Sequence, residues 1–190
     1  LPGFHDAHVH LTRHGLELSR LDLSRARTFA EALELLERGA AGLGPGELLL
    51  ASGMALNTWG LGTIGRREAD ALEAAVGGRP AFIESKDHHS AWASAALLAR
   101  AGVGEGTPDP ADGVVVRDEE GRPTGLLLEA ARDLLRGALP EPGREELRRA
   151  LAAAASSLAA RGVTTVHHMA AEPASYFREL ALVASDDSYP

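Results

Sequence analysis

The chain has 190 residues, of which 45% are hydrophobic and 24% are charged, the balance of a globular domain with a sizeable core. Its 19 basic and 27 acidic side chains give a net charge of −8, which argues against nucleic acid as a partner. Cysteine is absent, which excludes disulfides and thiolate ligands, and no apolar run approaches the ~20 residues of a membrane span. No signal peptide is recognisable, so the cytoplasm is the default expectation.

The opening segment, residues 2–11, reads Pro-Gly-Phe-His-Asp-Ala-His-Val-His-Leu and predicts a buried strand. Alternate residues of a strand point to the same face, so His8 and His10 are expected side by side. Two imidazoles on one face can bind a single divalent cation, with Zn–N distances of about 2.0–2.1 Å. A His-x-His pair is common, however, and taken alone it is more often structural than a metal site.

The next predicted elements alternate between helices and strands. Residues 16–23 are expected to be irregular, and a capping box at Thr28–Glu31 predicts a helix that ends at the glycines of 42–46. Apolar runs predict strands at 48–51 and 80–85, with a helix at 67–76 between them. This order is typical of an α/β fold.

A second polar cluster follows the strand at 80–85, where residues 86–92 read Lys-Asp-His-His-Ser-Ala-Trp. Its structural explanation is a helix start, with Ser90 or Ser94 capping residues 95–101. Residues 113–118 and 123–128 flank Glu-Glu-Gly and predict a β-hairpin. Two roles stay open for Glu129, which either begins the helix at 130–136 or projects into a pocket as acid, base or ligand.

The last third predicts a long helix over residues 144–161, with Gly162 as its stop. The following strand, residues 163–168, reads Val-Thr-Thr-Val-His-His, and residues 176–183 form the last ordered segment. Adjacent residues of a strand face opposite sides, so at most one of its histidines shares the face of Thr165. We favour His167 for the inner side, and a hydrogen-bonded histidine at a strand end is the alternative.

These segments together resemble the metal-dependent amidohydrolase superfamily, in the branch of N-substituted formamide deformylases and YtcJ-like hydrolases. The opening string resembles the first barrel strand, residues 87–92 resemble Asp-Gly-His-Ser-Ala-Trp, and Gly-Val-Thr-Thr-Val-His at 162–167 resembles a later strand. The hairpin resembles a Val-Arg-Asp…Gly-x-Pro-Thr-Gly-x-Leu-x-Glu progression that ends at Glu129. Two features differ: His88 replaces a glycine, and residues 53–58 replace a Gly-Trp-Asp-Glu-like string.

The resemblance implies an α/β fold, part of a (β/α)8 TIM barrel with an inserted α/β segment and β-hairpin at about residues 47–136. The alternative counts the strands of that segment as barrel strands two and three. A complete barrel takes about 250 residues. Residues 1–190 are therefore expected to be the N-terminal part of a catalytic barrel, without its remainder or a small β-domain, and inactive on their own.

The resemblance also implies the residues of the site. His8 and His10 are expected to bind a divalent metal, with zinc favoured, and His167 is a further candidate ligand. The candidates for catalysis are Glu129 and Asp87. The candidates for substrate contact are His89, Trp92 and Trp59. Lys86, the sole lysine, does not match the position of the family's carboxylated lysine.

The implied activity is metal-dependent hydrolysis of carbon–nitrogen bonds in small non-peptide amides, through a metal-activated water. No nucleic-acid or membrane partner is expected, and a homo-oligomer is compatible with the sequence. One alternative is a non-catalytic binding or regulatory protein that retains the amidohydrolase scaffold. Another is an unrelated α/β domain in which the histidine clusters are structural.

Overall fold

The structure is a computed structural model that describes residues 2–169 and 174–185. The elements in chain order are β1 (Phe4–Val9), α1 (Leu11–Glu17), β2 (Leu21–Asp22), α2 (Phe29–Ala41), β3 (Leu49–Met54), α3 (Arg66–Val76), β4 (Ala81–Ser85), β5 (Ser90–Ala93), α4 (Ala95–Ala101), β6 (Gly113–Arg117), β7 (Pro123–Glu129), a 3-10 helix (Ala130–Ala138), α5 (Arg144–Ala159), β8 (Val163–His168) and α6 (Ala174–Ala184). They form two compact units. The terminal unit combines Leu1–Arg20 with Glu141–Pro190, and the central unit is Leu21–Pro140.

The terminal unit contains a two-stranded parallel sheet of β1 and β8, together with helices α1, α5 and α6. Its core is a small apolar cluster of Leu11, Leu151, Ala154 and Val183. No element was predicted for residues 12–15, and α1 extends two residues into the segment 16–23 that was predicted to be irregular. It is stabilised by close packing on α5, where a Cβ at Gly15 would lie 2.0 Å from the Ala150 carbonyl oxygen.

A bulge in β1 changes which side chains share a face. Asp6 is opposite Val166 and Val9 is opposite His168, so two residues of β1 stand against one residue of β8. The half-buried positions of β1 are therefore Asp6 and Val9, three residues apart, while His5 and His8 are both exposed. A strict alternation would have separated these two histidines.

The expectation of a buried opening strand was wrong for part of β1. Phe4 is 68% exposed, and Ala7 is also exposed. Only the face of β1 that carries Val9 packs against the apolar cluster of the terminal unit. The other face carries the exposed histidines.

The central unit is a three-layer α/β arrangement around a six-stranded sheet of order β2-β3-β4-β5-β7-β6. Strands β2, β3 and β4 run parallel, and the remaining neighbours are antiparallel. Every residue of β4 is buried, because Ile83 packs on the side of α2 and α3 while Phe82 packs on the side of α4 and the 3-10 helix. The α/β class is thus confirmed, and the described residues form no closed barrel.

Most of the elements predicted from local sequence patterns in the central unit are confirmed. The Thr28 side chain accepts a hydrogen bond from the Glu31 amide at 3.2 Å, and the Glu31 carboxylate accepts from the Arg27 amide at 2.7 Å. Ser94 caps α4, and the predicted hairpin is confirmed as β6 and β7. The segment 47–136 lies within this unit, in a sheet separate from β1 and β8. No described helix is long and apolar enough to cross a lipid bilayer.

Candidate functional site

The first candidate site is the exposed histidine pair where β1 meets α1. His8 lies in β1, and His10 is the residue that precedes α1. Their ring centroids are 5.4 Å apart, with an angle of 74° between the planes. Two imidazoles on one tetrahedral zinc ion, with Zn–N bonds of about 2.0–2.1 Å, have centroids about 5 Å apart. The separation of the two rings is close to that value, and their role as metal ligands stays a prediction.

His167 lies beside His5, which had been given no role. The two Nε2 atoms are 3.1 Å apart, and the ring centroids are 4.6 Å apart in an edge-on arrangement. The neighbouring His168 is half-buried, and its Nδ1 accepts the Leu11 amide at 3.1 Å. In the described terminal unit, no three His, Asp or Glu side chains bring ligand atoms within 4.8 Å of one another. That His167 joins His8 and His10 on one ion stays a prediction.

The second candidate region is the turn between β4 and β5 in the central unit. The Asp87 carboxylate accepts hydrogen bonds from the Ser85 hydroxyl at 2.6 Å and from the His89 amide at 3.0 Å. The Ser85 hydroxyl oxygen accepts the Ser90 amide at 3.0 Å. The bond from the Ser85 side chain and that from the His89 backbone lower the pKa of Asp87, so its carboxylate stays ionised. Asp87 shapes the turn, and its catalytic role stays a prediction.

His89 pairs with Glu129 at the edge of this turn. The Nδ1 atom of His89 lies 3.0 and 3.1 Å from the two carboxylate oxygens of Glu129. The hydrogen bond from this carboxylate and its negative charge raise the pKa of His89. Both side chains are accessible, at 68% and 58% exposure, so a small molecule can reach them. The pair has the composition of a general acid–base dyad.

The backbone around this dyad is strained at two residues. Glu129 has φ +50° with ψ −126°, and His88 has φ +63°, conformations that cost non-glycine residues about 1–3 kcal/mol each. Long-range bonds hold them in place: the Glu129 amide donates to the His89 carbonyl at 2.8 Å, and the Arg132 guanidinium donates to the His88 carbonyl. Such strain is concentrated at functional sites in proteins. Glu129 thus begins the 3-10 helix while its side chain leaves the helix uncapped and contacts His89.

A cavity of about 540 Å³ lies between the loop after β3 and the turn after β4. Its lining residues are Met54, Ala55, Leu56, Asn57, Thr58, Gly62, Ser85, Lys86, Asp87 and Ser90. A hydrogen bond of 2.9 Å from the Lys86 amide to the Met54 carbonyl joins its two walls. Lys86 makes no ion pair with any residue that the structure describes, so its ammonium group is available to an anionic ligand.

Both tryptophans lie in the core. Trp59 is 6% exposed and donates its indole N–H to the Ala26 carbonyl, while Trp92 is fully buried and donates to the Thr124 carbonyl. Phe29 packs against both rings. Packing and a satisfied N–H account for each indole, and neither lines the cavity. Their placement does not support the assignment of these residues to substrate contact.

Sequence reasoning overlooked two residues of these sites. Lys86 was discounted, although a sole lysine directly after a buried strand was a signal worth following. His5 carried no such signal, since alternation along a regular strand places it opposite His8. The bulge between Asp6 and Val9 puts His5 and His8 on the same exposed side.

Comparisons with known proteins identify the family. Residues 1–185 match the model of the Amidohydrolase family. The chain is 31% identical over 181 residues to YtcJ of Bacillus subtilis (strain 168), which is named as an amidohydrolase, covering 95% of this chain and 33% of that protein. It is 33% identical over 140 residues to an N-substituted formamide deformylase of Arthrobacter pascens, covering 73% and 26% of the two chains. A metal-dependent hydrolase of Pyrococcus horikoshii OT3 superposes with a TM-score of 0.61 at 27% identity, covering 96% of this chain and 33% of that one. The chain belongs to the amidohydrolase family, and it spans about a third or less of the length of these relatives.

Proposed function

We propose that this protein hydrolyses carbon–nitrogen bonds in small non-peptide amides with the help of a divalent metal ion. Family membership supports a hydrolase, and the names of two relatives supply the metal dependence and the amide chemistry. The observation that carries the proposal is the 5.4 Å separation of the His8 and His10 rings on an exposed strand end. That spacing is close to the separation of two imidazoles that bind one tetrahedral ion.

His8 and His10 would hold the metal, whereas His167 lies against His5 and is not assigned to this ion. A divalent cation bound there supplies Lewis acidity toward an amide carbonyl and a water of lowered pKa. Zinc is the favoured ion, since it accepts imidazole nitrogen as a ligand. The Asp6 carboxylate, which accepts the His8 amide at 3.0 Å, fixes the backbone that presents the first imidazole.

The central unit would bind the substrate. Lys86 offers a positive charge on the cavity wall, and Ser85 and Ser90 add hydroxyl groups. We assign substrate contact to His89 and proton transfer to Glu129. The Glu129 carboxylate bonds the Nδ1 side of the His89 ring and leaves Nε2 directed to a substrate oxygen. Asp87 is a further candidate for proton transfer, with a lowered pKa that limits its strength as a base.

The test uses the complete enzyme, because residues 1–190 are expected to be inactive on their own. It compares metal content and amide hydrolysis in wild type, His8→Ala, His10→Ala and His89→Ala. We expect both variants of the terminal unit to lose most bound metal and turnover, because one imidazole cannot retain the ion. His89→Ala is the matched control, which removes an exposed imidazole and should keep the metal. Wild-type metal content and turnover in both His8→Ala and His10→Ala would refute the proposal.

A further inference from the structure

We infer that His5 and His167 form a second metal site, separate from the His8–His10 pair, which takes a zinc-like divalent ion. The inference rests on the 3.1 Å contact between the Nε2 atoms of two exposed imidazoles on neighbouring strands. It does not depend on the proposed hydrolase activity. None of the comparisons assigns a role to His5.

The distance between the two nitrogens suits coordination. Two imidazole nitrogens on one tetrahedral ion, each about 2.0–2.1 Å from it, lie about 3.3 Å apart. The 3.1 Å separation of the Nε2 atoms needs only a small adjustment of the side chains to reach this value. The ring centroids are 4.6 Å apart, close to the separation of about 5 Å for two imidazoles on one tetrahedral ion.

The strands hold the two ligands in place before any ion binds. His5 pairs with Thr165 in the parallel ladder, two residues before His167 on β8. The register shifts between Phe4 and His5 and again after Asp6, so the regular pairing beside this contact is that of His5 and Asp6 with Thr165 and Val166. At Gly3 a Cβ would lie 2.1 Å from the Thr164 side chain, so the strands approach closely at this end. Ligands on rigid strands lose little entropy on binding.

A direct hydrogen bond between the rings is the competing explanation. Both residues are exposed, so this bond exchanges with water and contributes little net free energy. A cation replaces that weak contact with two coordinate bonds. Because two protein ligands leave positions for water on the ion, the site should exchange its metal readily. Zinc binding must therefore be measured at equilibrium, because an ion that exchanges readily is lost during purification.

The experiment measures Zn²⁺ binding by equilibrium dialysis. In the His8→Ala/His10→Ala background, which removes the first pair, we expect about one exchangeable ion per chain to remain. Adding His5→Ala or His167→Ala should abolish that binding, whereas adding His89→Ala should leave it unchanged. Excess Mg²⁺ should not compete, because it prefers oxygen ligands.

Two further substitutions separate coordination from hydrogen bonding. His5→Asn keeps a hydrogen-bonding side chain but removes the imidazole ligand, so zinc binding should be lost. His5→Cys supplies a thiolate in a chain without other cysteines and should restore it. Circular dichroism confirms that each variant is folded. Zinc binding that is the same with and without His5, or that survives in His5→Asn, would overturn the inference.

Discussion

The Nδ1 atom of His89 lies 3.0 Å from a carboxylate oxygen of Glu129, although 40 residues separate them in the sequence. Strand pairing creates this contact, because Ser90 is opposite Leu128 in the ladder of β5 and β7. His89 and Glu129, the residues just outside that rung, are thereby brought together at the ends of these two interior strands. The ladder thus fixes the backbone positions from which the two side chains meet.

The first prediction concerns the protonation of His89. Replacing Glu129 with Gln removes the charge that raises the pKa of His89, so that pKa should fall toward 6.5. NMR titration of the His89 ring measures the change. Asp133→Asn, which removes an exposed carboxylate paired with Arg136, is the control and should leave the His89 titration unchanged.

A second prediction concerns stability against pH at the same pair. A histidine with a raised pKa in the folded state stabilises the fold fully below its unfolded value of 6.5, and loses that contribution as pH rises through the folded value. Wild type should therefore have a higher free energy of unfolding than Glu129→Gln at pH 5.5, and this difference should disappear at high pH. Glu129→Gly removes the same carboxylate. It should in addition relieve backbone strain of about 1 kcal/mol, and this second contribution does not depend on pH. A difference in unfolding free energy between wild type and Glu129→Gln that stays the same at every pH would contradict the pairing.

The third prediction tests Lys86 as an anion-binding residue of the cavity. A charge-assisted hydrogen bond contributes about 1.5–3 kcal/mol, so Lys86→Gln should raise KM for amides that carry a carboxylate by about tenfold or more. Neutral amides should be affected much less. Arg136→Gln, at an 81% exposed side chain outside the cavity lining, is the charge-matched control. Equal effects on anionic and neutral amides would exclude this role.

The fourth prediction concerns Glu179, which is 2% exposed and accepts hydrogen bonds from Arg144 at 2.7 Å and Arg148 at 2.8 Å. The side-chain bond from Arg144 is the largest cause of the lowered pKa of Glu179. A carboxyl with a lowered pKa stabilises the fold above its unfolded value of 4.5 and loses that contribution as pH falls through the folded value. Glu179→Gln should therefore be less stable than wild type at pH 7, with the difference shrinking in acid. Glu141→Gln, at an exposed position, should show no such difference in chemical denaturation.

The fifth prediction tests the contact of α1 with α5. Gly15→Ala forces a Cβ toward the Ala150 carbonyl, and such overpacking costs about 1–3 kcal/mol. Gly137→Ala is the control, because nothing lies within 4 Å of the added methyl group, and it should be neutral or stabilising by up to about 1 kcal/mol. Urea denaturation followed by circular dichroism compares the two variants. Equal stabilities would show that α1 does not depend on this close approach.

Much of the local structure followed from the sequence because its causes lie within a few residues. Thr28 caps α2 through the amide three residues on, and Gly162 ends the approach to β8 with φ +80°. The hairpin of β6 and β7 depends on its own turn. The spacing of His8 and His10 likewise needs only one short segment, which is why a metal pair was predicted there.

The tertiary structure decided the contacts that depend on a partner strand. The register that sets His5 opposite Thr165 exists only through pairing with β8, and it places His5 beside His167. The bulge between Asp6 and Val9 puts His8 on the same exposed side. Trp92 is predicted at a pocket by its motif, but the two-sided burial of β5 places it in the core. The direction of a side chain in a strand depends on the pairing register and on which elements pack against each face of the sheet. Both are set by residues far away in the chain. Sequence periodicity records which residues alternate, while the partner strand determines where that alternation breaks.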